Sequence, residues 1–178
     1  MKSKYSFCID VIKSRKSIRN FEYKKLKDEV IIELLECGRW APSGNNNQPW
    51  FVCVVTHPTV KRLLAEQTKY SQPIIEASVV FVVFLDKERC YDRTKDLQSI
   101  GAFAENILLG AHSMGLGGVW IGEILNNKEK VNEIFKLSVE KYELMYVLAI
   151  GAIAAVTEED IEKPERIRRE LEEFTTWY

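Results

Sequence analysis

The order of elements along the chain predicts an α+β or α/β fold, a central sheet flanked by helices. Three observations predict it. Short β-branched and aromatic runs alternate with stretches of helical period. One long helix in the middle of the chain is apolar around most of its circumference, which a helix needs only when it is buried on more than one side. Helix exceeds strand. The 178 residues suffice for one domain with a real hydrophobic core and are too few for two. Residues 1–178 therefore read as a single domain, without repeats, low-complexity segments or a Gly/Ser linker.

The elements are justified in order. Phe7 to Lys13 places Phe7, Val11 and Ile12 on one helical face. A second helix runs from Asp28 to Trp40, with Val30, Ile31, Leu34 and Leu35 inward, Asp28 and Glu29 at its positive end, and Pro42 stopping it. After the loop 42–49 comes a strand, Trp50 to Thr56. Pro58 opens a helix to about Lys69, since proline is tolerated at the first helical position. Val79 to Leu85 is a buried strand. The long helix starts near Asp96 and carries Leu97, Ile100, Phe103, Ala104, Ile107, Leu108, Leu109, Ala111 and Met114. Gly115, Gly117 and Gly118 end it and lead into a short strand, Val119 to Ile121. Asn126 to Phe135 is a helix and Tyr146 to Ile153 a strand. The polar tail from Thr157 closes on Leu171, Phe174, Trp177 and Tyr178, apolar anchors suited to docking on a second subunit.

Composition excludes several function classes. Hydrophobic residues make up 46% and charged residues 29%, which is globular. The net charge of -1 gives no field that draws in nucleic acid or an anionic membrane. The longest apolar stretch, Ala77 to Leu85, is too short to span a bilayer, and residues 1–20 do not read as a signal peptide. Cys8, Cys37, Cys53 and Cys90 are scattered, and with only His57 and His112 beside them no metal ligand set emerges. They read as free thiols in a reducing cytoplasm, so redox chemistry here requires a bound cofactor.

Four segments carry candidate chemistry. Arg15, Lys16, Ser17 and Arg19 pack three cations and a hydroxyl at a helix end. That suits a phosphate, although basic residues against a helix dipole would account for them as well. The loop Pro42-Ser43-Gly44-Asn45-Asn46-Asn47-Gln48-Pro49 is built from amide, hydroxyl and glycine groups. It matches the alternating donors and acceptors of a pyrimidine-like ring, or is an Asn-rich turn. The run Gly115 to Glu123 lacks the spacing of a dinucleotide fingerprint. Its glycines either let backbone approach a flat ligand or simply cap the helix. Lys163 to Arg169 is a late basic cluster that a solvated charge run would also explain.

Taken together, in this order and spacing, the segments Arg15–Phe21, Ala41–Trp50, Asp96–Met114 and Gly115–Gly122 and the late basic cluster resemble the FMN-dependent nitroreductase family in its short form. The resemblance implies an α+β fold with a central, mainly antiparallel sheet flanked by helices, forming an intertwined homodimer with two FMN sites lined by both subunits. By matching positions, Arg15, Lys16, Ser17 and Arg19 hold the phosphate, ribityl chain and pyrimidine edge. Pro42, Ser43, Asn46 and Gln48 reach the flavin from the partner chain. Trp120, Ile121 and Gly122 lie near flavin N5, with a backbone N–H donating to it. Arg166 and Arg168 complete the phosphate site, Arg169 replacing them if the register slips by one.

The implied activity is an NAD(P)H-dependent oxidoreductase, ping-pong, delivering hydride through flavin N5 to a small organic acceptor such as a nitroaromatic or quinone. Arg19 stabilises negative charge at the N1 and O2 edge. No protein acid or base is required, so no catalytic side chain is assigned. The alternatives are an FMN carrier or redox sensor without turnover, or a specialised activity such as flavin reduction or reductive dehalogenation. Differences of substrate are expected in a lid placed from Tyr70-Ser71-Gln72-Pro73 through Lys87–Asp96, short enough for an open site. Arg89 or Arg93 would meet a 2′-phosphate if NADPH is preferred to NADH, or is solvated.

Overall fold

The computed structural model describes residues 4–155 and 166–178. Its centre is β5 (Tyr142–Ile153), to which three other strands pair, all antiparallel. β3 (Val79–Asp86) lies along one edge, with Val79 opposite Ile150 and Asp86 opposite Tyr142. β4 (Leu116–Ile121) lies along the other, Leu116 opposite Ala152. The two-residue β1 (Phe21–Glu22) continues the β3 edge, Glu22 also facing Ala152. β2 (Trp50–Val55) completes the sheet outside β3. The α+β class is thus observed, and the α/β alternative falls away because no strand pair within the sheet is parallel.

Why β3 reads as a continuous apolar run follows from its surroundings. Val80, Val82 and Phe84 pack on one face of the sheet with Leu64, Ile74 and Val131. Val79, Phe81, Val83 and Leu85 pack on the other with Leu34, Ile100, Phe103 and Ile107. A strand covered on both faces has no polar side to show. The first face is covered by α3 (Pro58–Ala65), α4 (Ser71–Glu76) and α6 (Lys128–Phe135). The second is covered by α2 (Asp28–Arg39) and α5 (Arg93–Ser113). α1 (Lys4–Ser14) leans on the end of α5, where Ser14 Oγ and His112 Nε2 are 2.8 Å apart.

Several boundaries differ from the sequence reading. α5 starts at Arg93, because Asp92 caps it by accepting from Lys95 N–H at 3.0 Å. Asp96 is instead buried inside the first turn. The helix expected over 58–69 ends at Ala65, and a separate helix, α4, occupies part of the expected lid. That lid is not one segment: the intervening β3 is buried along its whole length and puts 70–78 and 87–96 at opposite strand ends, about 23 Å apart. β4 starts at Leu116 and absorbs Gly117 and Gly118, which are glycine for packing rather than for a turn. A Cβ on Gly117 would stand 2.8 Å from Ile18 Cβ, and one on Gly118 would stand 2.9 Å from Leu108 Cδ2. The helix expected from Asn126 splits into a 3-10 turn, Glu123–Asn127, and α6. β5 begins four residues before the expected Tyr146, and a register shift between Val83 and Phe84 leaves Met145 bulged. Among the described residues no helix is long and apolar enough to cross a membrane.

Candidate functional site

The segment after α1 is laid along the free edge of β4. Ile18 N–H donates to Gly118 O at 3.0 Å, and Ser17 forms a parallel bridge with Gly118. This single contact brings the first and third candidate segments together. Beyond it, Arg19 lines a cleft of about 120 Å³ with Val119, Trp120, Ile121 and Gly122, and its opposite wall is Tyr70 and Pro73. Four residues singled out from the sequence, drawn from positions a hundred residues apart, therefore share one small cleft.

Arg15 opens the same segment. Its Nε lies 3.4 Å from Glu105 Oε1 on α5, yet without hydrogen-bond geometry, and this buried nitrogen has no hydrogen-bond partner. The guanidinium is thus ion-paired with Glu105 while its buried Nε–H makes no hydrogen bond. Lys16 and Ser17 are exposed beside it. Arg166 reaches the same turn from the tail, donating to the carbonyls of Arg15 and of Lys13, the latter at 3.0 Å. Among the described contacts Arg168 donates to Ile167 O at 3.0 Å and does not reach that turn; it is exposed. Arg169, the fallback, stacks over Phe174 at 5.2 Å. The rest of the late cluster, Lys163 to Glu165, lies outside the described residues.

The amide loop is built differently. Asn45, Asn46 and Gln48 all have left-handed backbone, φ 53, 54 and 50, which asparagine tolerates and glutamine rarely adopts. Ser43 Oγ accepts from Gln48 N–H at 3.0 Å, and the Gln48 amide donates to Asn46 O and Oδ1 at 3.3 Å. Gly44 is glycine because Tyr91 leans on it, its hydroxyl 2.0 Å from where a Cβ would stand. Pro49 O accepts from Asp86 N–H at 2.8 Å, and Trp50 stacks on Phe103 at 5.0 Å. None of the described bonds or cleft contacts joins Pro42, Ser43, Asn46 or Gln48 to Arg19 or Trp120 within the chain.

Trp120, 41% exposed, stacks on Tyr146 at 4.2 Å and divides the small cleft from a larger one of about 440 Å³ between α5 and β5. Arg93, which lines the larger cleft, is held by Glu143 through two bonds of 2.7 and 2.9 Å, and the guanidinium keeps Glu143 below the usual carboxylate range. Arg89 leans on Asp86 at 3.7 Å. The four cysteines are free, and burial pushes the Cys53 and Cys90 thiols up to about 11. Thiols so shifted are poor nucleophiles at neutral pH. Among the described residues no group of His, Cys, Asp and Glu is placed to hold a metal.

The model of the Nitroreductase family matches residues 12–78 and 57–152, which takes in both walls of the small cleft and the amide loop. The chain belongs to the nitroreductase family. An Archaeoglobus fulgidus protein with the provisional name NADH dehydrogenase/NAD(P)H nitroreductase is 35% identical over 116 residues, 65% of this chain and 67% of that one. The NADPH-flavin oxidoreductase of Vibrio harveyi is 31% identical over 156 residues, 80% of this chain and 64% of that one. This nitroreductase-family chain thus spans about two thirds of the length of these relatives. A crystal structure from Desulfovibrio desulfuricans, provisionally named a nitroreductase and solved in complex with FMN, superposes with a TM-score of 0.88. It is 32% identical and covers 100% of this chain and 98% of its own.

Sequence reasoning missed Tyr70 and Pro73 as cleft walls, and missed the link from Glu123 to Thr68. Tyr70 and Pro73 sat in the expected lid. Glu123 was read only as the end of a glycine-rich run, because nothing local marks its partner 55 positions earlier.

Proposed function

We propose that this nitroreductase-family chain is an NAD(P)H-dependent oxidoreductase that holds FMN in the small cleft, acts as a homodimer, and reduces a small organic acceptor such as a nitroaromatic or quinone. The observation that carries the reading is Arg19 set in one cleft with Trp120, Ile121 and Gly122. The names of the relatives, and the FMN in the Desulfovibrio desulfuricans structure, supply the cofactor's identity. The residues present fit that group. The buried Arg15 Nε–H makes no hydrogen bond although its guanidinium is ion-paired with Glu105, Lys16 and Ser17 are exposed beside it, and the amide loop, left-handed at Gln48, offers further polar groups.

In this reading Arg15, Lys16 and Ser17 hold the phosphate, joined by Arg166 through the same turn, with Arg168 and Arg169 further along the tail. Arg19 supplies fixed positive charge at the pyrimidine edge, where it favours the reduced state. The Gly122 backbone, free of a side chain, offers its N–H to the ring. Pro42, Ser43, Asn46 and Gln48 serve the site of a second copy, which accounts for their distance from Arg19 within one chain. FMN, when bound, supplies the two-electron chemistry that links NAD(P)H to the acceptor. The protein's own part is to bind, orient and exclude water, and no side chain is assigned as acid, base or nucleophile.

The test is spectroscopic. Purified protein is expected to be yellow, or to become so on adding FMN. Its visible bands should bleach on anaerobic addition of NADH or NADPH and return with menadione or a nitrofuran. A colourless protein that takes up no FMN overturns the reading. Bleaching without return by any acceptor replaces it with a carrier.

A further inference from the structure

The cleft that holds Arg19 has two walls from distant parts of the chain. One is the end of β4, Trp120 to Gly122; the other is Tyr70 and Pro73, where α4 begins. Strand pairing fixes the first wall, since Trp120 and Ile121 face Leu148 and Val147 of β5. The second wall follows a turn, 66–70, that belongs to no strand. Something must hold that turn at the right distance.

Glu123 directly follows Gly122. Its Oε2 accepts from Thr68 Oγ1–H at 2.5 Å and from Lys69 N–H at 3.1 Å. Its Oε1 accepts from Asn126 Nδ2–H at 3.2 Å. Thr68 Oγ1 in turn accepts from Tyr70 N–H at 3.2 Å. The path from wall to wall is thus one covalent step from Gly122 to Glu123, one bond to Thr68, and one more to Tyr70. A second fastening lies alongside, Asn127 Nδ2–H donating to Gln67 O at 3.0 Å. Thr68, and after it the Lys69 amide, keep the Glu123 carboxyl below the usual carboxylate range, so these bonds are charge-assisted at neutral pH.

We propose that Glu123 is a positioning residue that ties the two walls of the cleft together through Thr68 and so sets the spacing in which FMN is held, an inference that rests on the FMN reading above. Glu123 touches neither cofactor nor acceptor. It fixes where Tyr70 stands relative to the Gly122 backbone, and with it the width of the cleft between them. The residue was not legible as functional in the sequence because its effect passes through a hydroxyl 55 positions away.

The test is FMN affinity of the apo protein, read by quenching of FMN fluorescence, alongside the melting temperature of the same apo protein. Glu123→Ala should weaken FMN binding by roughly tenfold, because the freed turn must be reordered when FMN binds. Glu123→Gln, which keeps one acceptor for Thr68, should recover part of that loss. Thr68→Val keeps the shape, removes only the hydroxyl, and should weaken binding comparably; it carries the test if the Ala variant does not fold. Apo melting should move by a few degrees at most. Affinity and melting falling together, with no recovery in Glu123→Gln, would make Glu123 a structural fastening and overturn the proposal. Wild-type affinity in both Glu123→Ala and Thr68→Val would also overturn it. A wild type that takes up no FMN defeats the underlying FMN reading instead.

Discussion

A methyl group at position 117 would stand 2.8 Å from both Cβ and Cγ2 of Ile18, atoms next to the backbone that cannot swing aside. Gly117→Ala is therefore expected to push the Arg15–Arg19 segment off β4, at about 1–3 kcal/mol of stability, the usual cost of overpacking. Thermal unfolding would read the first effect and FMN retention the second. Tyr146 makes a different prediction. It is 1% exposed and donates to Ile100 O at 2.7 Å, and burial pushes its ionisation far above that of a free phenol. A raised value in the folded state means stability is complete below the unfolded phenol's value of about 10 and is lost as pH rises past it. Circular dichroism against pH should show an alkaline fall that Tyr146→Phe flattens, while the variant costs about 0.5–1.5 kcal/mol at neutral pH. At this scale clustered charge and glycine marked Arg19 and Gly122, which the structure brings to one cleft. The sequence reading named Tyr70 only as part of a lid and Glu123 only as the end of a glycine-rich run, because their link through Thr68 joins positions remote in the chain.

Among the elements, α5 carries the most consequence. Its first turn is locked by Asp96, whose Oδ2 accepts from the N–H groups of Tyr91 and Asp92, each at 3.0 Å. That lock holds Tyr91 over Gly44 and so steadies the amide loop from outside. Asp96→Ala would strand two N–H groups and is expected to cost about 3 kcal/mol, given the strength of hydrogen bonds to a charged acceptor. In a chain of this size the melting temperature should then fall by about 6–12 °C. Asp96→Asn, retaining an acceptor, should fall by less. A smaller drop for Ala than for Asn would refute the lock. Legibility among elements followed length and periodicity. The long helices and β3 were readable because their burial is written in many residues. β1 has two residues and α4 six, too few to carry a period, and both exist because tertiary partners satisfy them. Phe21 N–H, for example, donates to Glu76 Oε2.

For the molecule as a whole, exposed apolar groups concentrate at the chain's two ends. Phe7, Ile9 and Ile12 of α1 are half exposed or more, and in the tail Leu171, Phe174, Trp177 and Tyr178 are as open or more so. In the proposed homodimer the tail docks on the partner. Deleting residues 171–178 should then shift the chain toward monomer in sedimentation and release FMN; an unchanged dimer would show that the tail anchors nothing. The site was half legible for a related reason: its basic and glycine segments meet within one chain, whereas the amide loop meets them in no described contact and serves a second copy only in the proposed homodimer. The central position of β5 has a consequence for biogenesis. Ala152 faces both Glu22 and Leu116, so β5, the last strand among the described residues, stands between strands translated before it. A nascent chain leaving the ribosome can form the β2–β3 pair early, but not the sheet, until β5 has emerged. Its apolar strands wait until then for a partner, the stage at which slow long-range pairing leaves a protein open to aggregation and most dependent on chaperones.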